Sequence, residues 1–275
     1  MVMRQGSLSS AARAMGISQP TARRQIEALE AELGVTLFTR APSGLLPTEQ
    51  GTGLLAQAEA AEAALGAFQR GASGSASGEN GTVRITCPEI YGVEILPGIL
   101  SPLMRDYPGI KIELVLSNRV DDLLNREADI AVRMVAPKQE ALLARKVKPV
   151  ALGFYATKEF LKTYPAPKTY DELVERGRFI SDDRRDLTAK AFQAVKLKPP
   201  KNIVFKTDSD LAQLAVIRAG LGIGVCQSRF AARSNLVRVL PEMNFSLECW
   251  IVMHEDLKPM RRMRLVFDYL VKALG

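Results

Sequence analysis

The 275-residue sequence has few of the residues that build disulfide, metal and hydrolytic sites. Its three cysteines, Cys87, Cys226 and Cys249, are scattered and form no CxxC pair, which argues against a disulfide framework and indicates a reducing compartment. The single histidine, His254, has no partner motif for a triad or a zinc site. The carboxylates show no pairing typical of general acid–base catalysis. We therefore expect no catalytic residue, no metal site and no enzyme activity.

Long apolar runs and nucleotide-binding motifs are missing as well. No run approaches the roughly 20 residues of a membrane span, and the start MVMRQGSLSS has no apolar signal region. Neither a GxGxxG after a first strand nor a P-loop is present. The sequence therefore predicts a cytoplasmic protein that has no membrane partner and no cofactor.

Positive charge is abundant in the whole chain but not at its start. The formal net charge is +7, yet residues 1–70 contain six arginines and six glutamates, so that 6 − 6 = 0. A role in nucleic-acid binding must therefore rest on where the charges lie and not on their sum.

A Gly/Ser-rich stretch, GASGSASGENG at 71–81, divides the sequence and is typical of a flexible hinge. The Ala-rich segment before it, 48–70, predicts one helix. At helical spacing its apolar residues share one stripe. This stripe consists of Leu54, Leu55, Ala58, Ala61, Leu65 and Phe68. A single helix would not keep such a stripe in water, so we expect a partner helix, supplied by a second copy of the chain.

After the hinge, apolar runs alternate with helical segments. Strands are predicted at 82–87, 110–116, 128–134, 150–156, 179–181, 203–206 and 222–226. A helix is predicted from near Gly92, and DDLLNRE separates the second and third runs. Apolar runs separated by helices indicate an α/β fold with a parallel or mixed sheet covered on both faces.

Two short helices are predicted before residue 35. Ser7 caps the first, which extends to Met15, and Ser18 caps the second, whose first turn accepts a proline. Gly34 ends the second helix. Its inward face carries Ala22, Ile26, Leu29 and Leu33. Its opposite face carries Pro20, Arg24, Glu27 and Ala28.

The exposed start of this second helix fits insertion into a DNA major groove, where recognition helices contact base edges with their N-terminal residues. Arg24 is placed to read guanine, Gln19 to read adenine, and Thr21 to contact a thymine methyl or a phosphate. LFTR then predicts a short strand and APSGLLP a turn, together a wing on which Arg40 clamps a phosphate. From the residues alone, a solvated helical hairpin is an equally good interpretation.

The ordered motifs Ser-Ala-Ala, Ser-Gln-Pro, Leu-Glu-x-x-Leu-Gly, Leu-Phe-x-Arg and Thr-x-x-Gly resemble those of LysR-type transcriptional regulators. Met15 stands where the family usually has Leu, and Arg23 where it often has Ser or Thr. The resemblance implies a winged helix-turn-helix head, a long linker helix and a two-lobed, periplasmic-binding-protein-like (type 2) effector domain. It implies DNA contacts by Ser18, Gln19, Pro20, Thr21, Arg23, Arg24, Arg40 and Thr48.

The resemblance also sets the expected domain limits. These are 1–47 for the head, 48–70 for the linker and dimerisation helix, 71–81 for the hinge and 82–275 for the effector domain, with lobe one at 82–151 and 253–275 and lobe two at 152–252. The family begins with a helix before the Gly-Ser turn, of which MVMRQ remains, so we expect the head to be incomplete at its start and loosely packed. The segment 259–274 predicts the closing helix, with Leu265, Val266, Tyr269 and Leu270 buried and Arg261, Arg262 and Arg264 solvated.

Small molecules bind such domains in the crevice at the carboxyl ends of the strands. The candidate effector contacts are therefore Thr86, Cys87, Pro88, Glu89, Ser117, Asn118, Arg133, Thr207, Asp208 and Ser209. Free N–H groups at the helix start near Thr207 favour an anion, and the family's effectors are often carboxylates, so we expect a small carboxylate. For each residue a capping or turn role is an equally good interpretation.

The expected partners are a double-stranded DNA operator, a small-molecule effector and a second copy of the chain, in a homodimer or a homotetramer. Two alternatives stay open. One is an effector-binding protein whose DNA-binding head is defective, and the other is a redox-sensing regulator that uses Cys87 and Cys226.

Overall fold

The structure, a computed structural model, describes residues 1–41, 44–72, 78–117, 128–137, 139, 141–184 and 192–275. The chain divides into two compact units, Met1–Gly66 and Ala67–Gly275. We describe each unit by itself. The segment DDLLNRE and residues 73–77 of the Gly/Ser-rich hinge lie outside the described residues.

The first unit is a small helical head with a two-stranded hairpin. Its elements are α1 (Val2–Gln5), α2 (Leu8–Ala14), α3 (Gln19–Leu33), β1 (Phe38–Ala41), β2 (Gly44–Pro47) and the start of α4 (Glu49–Ala72). The Ser7 hydroxyl accepts a hydrogen bond at the start of α2, and the Ser18 hydroxyl does so at the start of α3. Gly34 takes the left-handed conformation that ends α3. These helix limits confirm the predicted caps, whereas GLLP, predicted as part of a turn, is a strand paired antiparallel with β1.

The inward face of α3 is covered less completely than its spacing predicts. Ala22 is buried and Ile26 is half-buried, but Leu29 and Leu33 are 45% and 50% exposed. These two leucines line an apolar groove of about 540 Å³, which we call the head groove, whose other walls include Leu54 of α4 and residues of α1. Leu29 and Leu33 therefore lie on the predicted apolar face without full cover, because a helix face is buried only where another element packs on it.

The second unit combines one large mixed sheet with a small parallel one. Its strands are β3 (Gly81–Cys87), β4 (Ile110–Leu116), β5 (Ile130–Arg133), β6 (Leu142–Ala156), β7 (Phe179–Asp182), β8 (Ile203–Thr207), β9 (Gly224–Gln227), β10 (Val237–Val239) and β11 (Phe245–His254). Its helices are α5 (Glu89–Glu94), α6 (Leu96–Asp106), α7 (Lys158–Thr163), α8 (Tyr170–Arg176), α9 (Asp210–Arg218), α10 (Ser228–Arg233) and α11 (Arg261–Leu274), with a 3₁₀ turn at Glu255–Leu257.

The large sheet has the strand order β10-β6-β11-β5-β3-β4, and β9 also pairs with β6. β3 is parallel to both β4 and β5, whereas β11 is antiparallel to β5 and β6. β7 and β8 form the separate parallel pair. We call β3–β5 with α5, α6 and α11 lobe one, and β7–β10 with α7–α10 lobe two. The long strands β6 and β11 connect the two lobes, and their pairing shifts register between Leu247 and Cys249.

The predicted strands of this unit are present, but three features differ from the expectation. The helix expected from Gly92 begins at Glu89 and breaks at Ile95, which ends α5 and precedes α6. β6 begins at Leu142, eight residues before the predicted start, because Arg145, Lys146 and Lys148 hide its apolar pattern. β10 and β11 were not predicted.

The closing helix α11 confirms two of the four side chains that were predicted to be buried. It also buries one arginine that was predicted to be exposed to solvent. Val266 and Leu270 are fully buried, while Leu265 and Tyr269 are half-buried. Arg262, predicted as solvated, is 0% exposed. It precedes Val266 by one helical turn and so lies on the buried face, where its side chain runs past Gly81.

No helix in the described part of the chain is long and apolar enough to cross a membrane.

Candidate functional site

The start of α3 presents polar side chains to solvent. Gln19, Pro20 and Thr21 are all exposed. The Ser18 hydroxyl lies 2.7 Å from the Thr21 hydroxyl and accepts a hydrogen bond from the Thr21 N–H at 3.3 Å. This cap holds the first turn in place, so Gln19 and Thr21 project from a fixed backbone.

The two arginines of α3 differ in their surroundings. Arg23 lies 3.8 Å from Glu27, one turn further along the helix. Arg24 is exposed and has no ion pair with the described residues. An exposed i,i+4 pair is weak, but it offsets part of the charge of Arg23. Arg24 is therefore the arginine of α3 that is better placed to contact a phosphate or a base.

The wing is a β-hairpin that a half-buried carboxylate connects to α3. Oε1 of Glu30 accepts hydrogen bonds from the backbone N–H groups of Leu37 at 2.6 Å and Phe38 at 3.0 Å. Arg40 is exposed on β1, where it lies opposite Leu45. This role of Glu30 was not predicted, because a glutamate near the end of a helix does not show which strand it will contact.

Thr48, predicted to contact DNA, uses its hydroxyl within the head. The hydroxyl donates to the Thr36 carbonyl at 2.7 Å and accepts from the Gly51 N–H at 3.0 Å. It thereby joins the end of the hairpin to the first turn of α4. A contact of Thr48 with DNA stays a prediction.

Three of the predicted effector contacts come together at the carboxyl ends of β3, β4 and β5. Arg133, 5% exposed, donates to the Thr86 hydroxyl at 3.1 Å and to the Ser117 carbonyl at 3.5 Å. Thr86 is fully buried. We call these three residues the arginine cluster. Asn118 lies outside the described residues.

Other predicted contacts form a second group where lobe one meets lobe two. The Ser209 hydroxyl donates to Oε2 of Glu89 at 3.2 Å, and the Thr207 hydroxyl accepts from the Ser209 N–H at 3.2 Å. Asp208 and Asp210 flank Ser209. These carboxylates oppose the anion that was predicted for the start of α9. Pro88 is buried and precedes α5.

The cysteines are buried thiols. Burial raises the pKa of Cys87 to about 12, although the Arg133 charge acts in the opposite direction. Burial likewise raises the pKa of Cys226 to about 12 and also raises the pKa of Cys249. The thiolate is the reactive form of cysteine, so this environment disfavours the redox-sensing alternative.

A cavity of about 680 Å³, which we call the lobe-two cavity, is lined by residues of lobe two and of the connecting strands β6 and β11, together with Ile90 of lobe one. Most of its lining is apolar, with four phenylalanines among the walls: Phe154, Phe179, Phe192 and Phe245. The predicted contacts that the structure describes do not line it, although Ile90 and Asp210, which follow Glu89 and Ser209 in sequence, do. This cavity was not predicted, because its walls come from segments that are far apart in the chain.

Two carboxylates at the lobe-two cavity share one arginine. The Arg184 guanidinium donates to Asp182 at 2.9 Å and to Asp210 at 2.8 Å. Burial acts to raise the pKa of Asp182, but the hydrogen bonds and charge of Arg184 outweigh it, so that this pKa lies below its usual value. The charge and hydrogen bonds of Arg184 therefore favour the ionised form of the Asp182 carboxylate.

Two family models match the chain. Residues 1–52 match "Bacterial regulatory helix-turn-helix protein, lysR family". Residues 76–275, well over half of the chain, match "LysR substrate binding domain".

Similar proteins include an "HTH-type transcriptional regulator" from Xanthomonas campestris, 31% identical over 62% of this chain and 50% of that protein. The "HTH-type transcriptional activator TtdR" of Escherichia coli is 25% identical over 98% of this chain and 89% of its own length. Among solved structures, full-length CbnR complexed with its target DNA has a TM-score of 0.72 at 18% identity, covering 100% of this chain and 96% of that one. The Vibrio cholerae virulence activator AphB has a TM-score of 0.65 at 23% identity, with the same coverage of both chains.

Proposed function

Since the chain belongs to the LysR family of bacterial transcriptional regulators, we propose that it binds a DNA operator through α3 and the wing and responds to an effector bound by its second unit. The exposed first turn of α3, with Arg24 beside it and Arg40 on the hairpin, is the observation that carries this proposal. Helices of this kind enter the major groove with their N-terminal residues. The related protein CbnR has been solved with its target DNA.

The direct test is selection of bound duplexes from a random DNA library. We expect enrichment of a two-fold symmetric site whose half-sites are about one helical turn apart, or a multiple of that distance. Specific binding should exceed non-specific binding by at least about 10³-fold at physiological salt. If no sequence is enriched while the chain is folded, the alternative of a defective head is supported instead.

We propose that two copies of the chain associate through α4. The apolar stripe predicted on this helix is exposed, with Leu54, Leu65 and Phe68 at 39%, 58% and 73%. An exposed apolar stripe of this kind is typical of a protein–protein interface. Sedimentation should show a dimer or a tetramer, and Leu65→Glu with Phe68→Glu should shift it towards the monomer. An unchanged mass of this double variant would show that the interface between the two copies lies elsewhere.

For the effector we keep the small carboxylate expected from the sequence, bound at the arginine cluster. The guanidinium of Arg133 beside the Thr86 hydroxyl is the donor set that suits a carboxylate. Calorimetry with acetate, succinate and benzoate, each compared with its amide, tests this. Thr86→Val should weaken carboxylate binding, whereas Thr163→Val, an exposed threonine on α7, should not. Equal binding of acids and amides would contradict the proposal.

The domain limits given above are also part of this proposal. Limited proteolysis tests them, because cleavage should concentrate in the hinge at 71–81. A fragment that starts at residue 78 should fold by itself.

A further inference from the structure

The short helix α5 packs directly on the strands of lobe one. A Cβ atom added at Gly92 would overlap the Leu116 side chain of β4 and would lie 3.1 Å from the Cys87 sulfur of β3. Glycine has no Cβ and so allows the backbone of a helix to approach its neighbours this closely. We therefore expect α5 to move together with β3 and β4.

Lobe two holds α5 at both of its ends. At the start, Oε2 of Glu89 accepts a hydrogen bond from the Ser209 hydroxyl at 3.2 Å. At the end, the Glu94 carboxylate accepts hydrogen bonds from Arg218 at 2.7 and 3.1 Å, and its backbone carbonyl accepts one from Arg233 at 3.3 Å. Arg218 is the last residue of α9 and Arg233 the last of α10. Two helices of lobe two therefore meet at one residue of lobe one.

Between these ends, α5 is buried among apolar side chains of lobe two. Ile90 and Tyr91 are 8% and 4% exposed, and they belong to the same core as Leu214 of α9 and Phe230 of α10. Ile90 also lines the lobe-two cavity together with Cys226. Separation of the lobes at this surface would expose Ile90 and Cys226 to water.

The lobes are also joined by β6 and β11, which run through both of them. The pairing of these strands shifts register between Leu247 and Cys249, and such irregularities bend a strand pair locally. Bodies joined in this way move relative to each other unless a large apolar interface prevents it. The contacts of α5 with lobe two are therefore placed to decide how often the lobes separate.

We propose that α5 is a strap between the lobes. Its contacts with Arg218 and Arg233 keep lobe two against lobe one, and their loss lets the lobes separate about β6 and β11. The strap acts without an effector and does not depend on the proposed carboxylate site. Because an exposed ion pair is weak, release of Glu94 should raise the population of the open form by a modest factor.

The native cysteines report this separation in the full chain. Cys226 lies where α5 meets lobe two, whereas Cys87 lies between α5 and lobe one. A buried thiol reacts when its surroundings open, so labelling by N-ethylmaleimide, followed by peptide mass mapping, measures both openings in one sample. Glu94→Gln should raise the labelling rate of Cys226 by about two- to fivefold, the range for an exposed ion pair, and should leave that of Cys87 unchanged.

The matched control is Glu175→Gln, which removes an exposed ion pair with Lys201 inside lobe two. It should change neither labelling rate. An unchanged Cys226 rate in Glu94→Gln would overturn the proposal. An equal rise at Cys87 and Cys226 would overturn it as well, since that result reports unfolding of the whole unit instead of separation at α5.

A double-mutant cycle tests whether Glu94 acts through Arg218. Arg218→Gln removes the pair from the side of lobe two, together with a hydrogen bond to Ser234. The variant with both changes should label Cys226 no faster than Arg218→Gln alone, because effects of residues in contact are not additive. A direct effect of the Glu94 charge on the Cys226 thiol would persist without Arg218. Rates that multiply in the double variant would therefore contradict the strap.

Discussion

At the residue scale, Arg24 is the side chain of α3 that is best placed to contact DNA, because it is exposed and Arg23 lies close to Glu27. We expect Arg24→Ala to weaken operator binding by about 1–3 kcal/mol, the value of a good bidentate base contact. Fluorescence anisotropy at fixed salt measures the change. Arg105→Ala, which removes an exposed arginine from α6, is the control and should leave affinity unchanged. Equal affinities of the two variants would contradict the assignment.

Thr48 and Thr52 form a matched pair that separates stability from DNA contact. The Thr48 hydroxyl links the hairpin to α4, whereas the Thr52 hydroxyl donates only to the Thr48 carbonyl of its own helix. Thr48→Val should lower the free energy of unfolding of the head by about 1 kcal/mol, as for the loss of a helix cap. Thr52→Val should change it by less than about 0.5 kcal/mol. Unchanged stability with weakened operator binding in Thr48→Val would instead place this hydroxyl on DNA.

At the scale of elements, α5 and α9 are joined across the two lobes by one ion pair. Arg218 donates to the two Glu94 oxygens at 2.7 and 3.1 Å, and Arg233 donates to the Glu94 backbone carbonyl at 3.3 Å. The hydrogen bond from Arg218 lowers the pKa of Glu94 from its usual 4.5. A carboxylate with a lowered folded pKa stabilises the fold above its unfolded pKa, and this stabilisation is lost as pH falls through the folded pKa.

We therefore expect the wild type to be more stable than Glu94→Gln at pH 6–7, by about 1 kcal/mol or less because the pair is partly exposed. The difference should shrink as pH falls below about 4.5. Chemical denaturation at several pH values measures it, with the exposed Glu242→Gln as the control. A difference that stays constant from pH 7 to pH 3.5 would show that the Glu94 charge is not what stabilises this contact.

Some helix ends could be predicted from the sequence, whereas burial and the lobe-two cavity could not. Ser7, Ser18 and Gly34 mark the ends of α2 and α3 correctly, because caps act through hydrogen bonds within a few residues. The burial of Arg262 was not predicted, because charge suggests solvent while the turn of α11 places the side chain inward. The lobe-two cavity was missed for a related reason, since Phe154 and Phe245 come from strands about 90 residues apart.

At the scale of the whole molecule, the positive excess lies outside the residues that are proposed to meet DNA. Arg4 is 2.7 Å from Glu62 and close to Glu59, which leaves Arg13, Arg23, Arg24 and Arg40 to meet phosphates. Each neutralised phosphate contributes about −0.9 to the slope of log affinity against log salt concentration. Four arginines therefore give a slope of at most about −3.6 for each head and about −7 for a dimer.

The slope of log affinity against log salt between 50 and 200 mM should therefore not be steeper than about −7 for a dimer, and Arg40→Ala should reduce it by about one unit per head. Titrations at constant pH measure both quantities. A markedly steeper slope would show that cations of the second unit also contact DNA.

The place of β11 in the large sheet has a consequence for synthesis on the ribosome. β11 lies between β6 and β5, yet it is the last strand of the described chain to be made. Until Phe245–His254 has left the exit tunnel, the facing edges of β5 and β6 lack their partner, and open strand edges invite pairing with other chains. At about 5–20 residues per second, translation from the end of β6 at Ala156 to the end of β11 at His254 takes roughly 5–20 s. During that interval the nascent protein should be a substrate for chaperones, and a stop codon shortly before residue 245 should give an aggregating product rather than a smaller folded one.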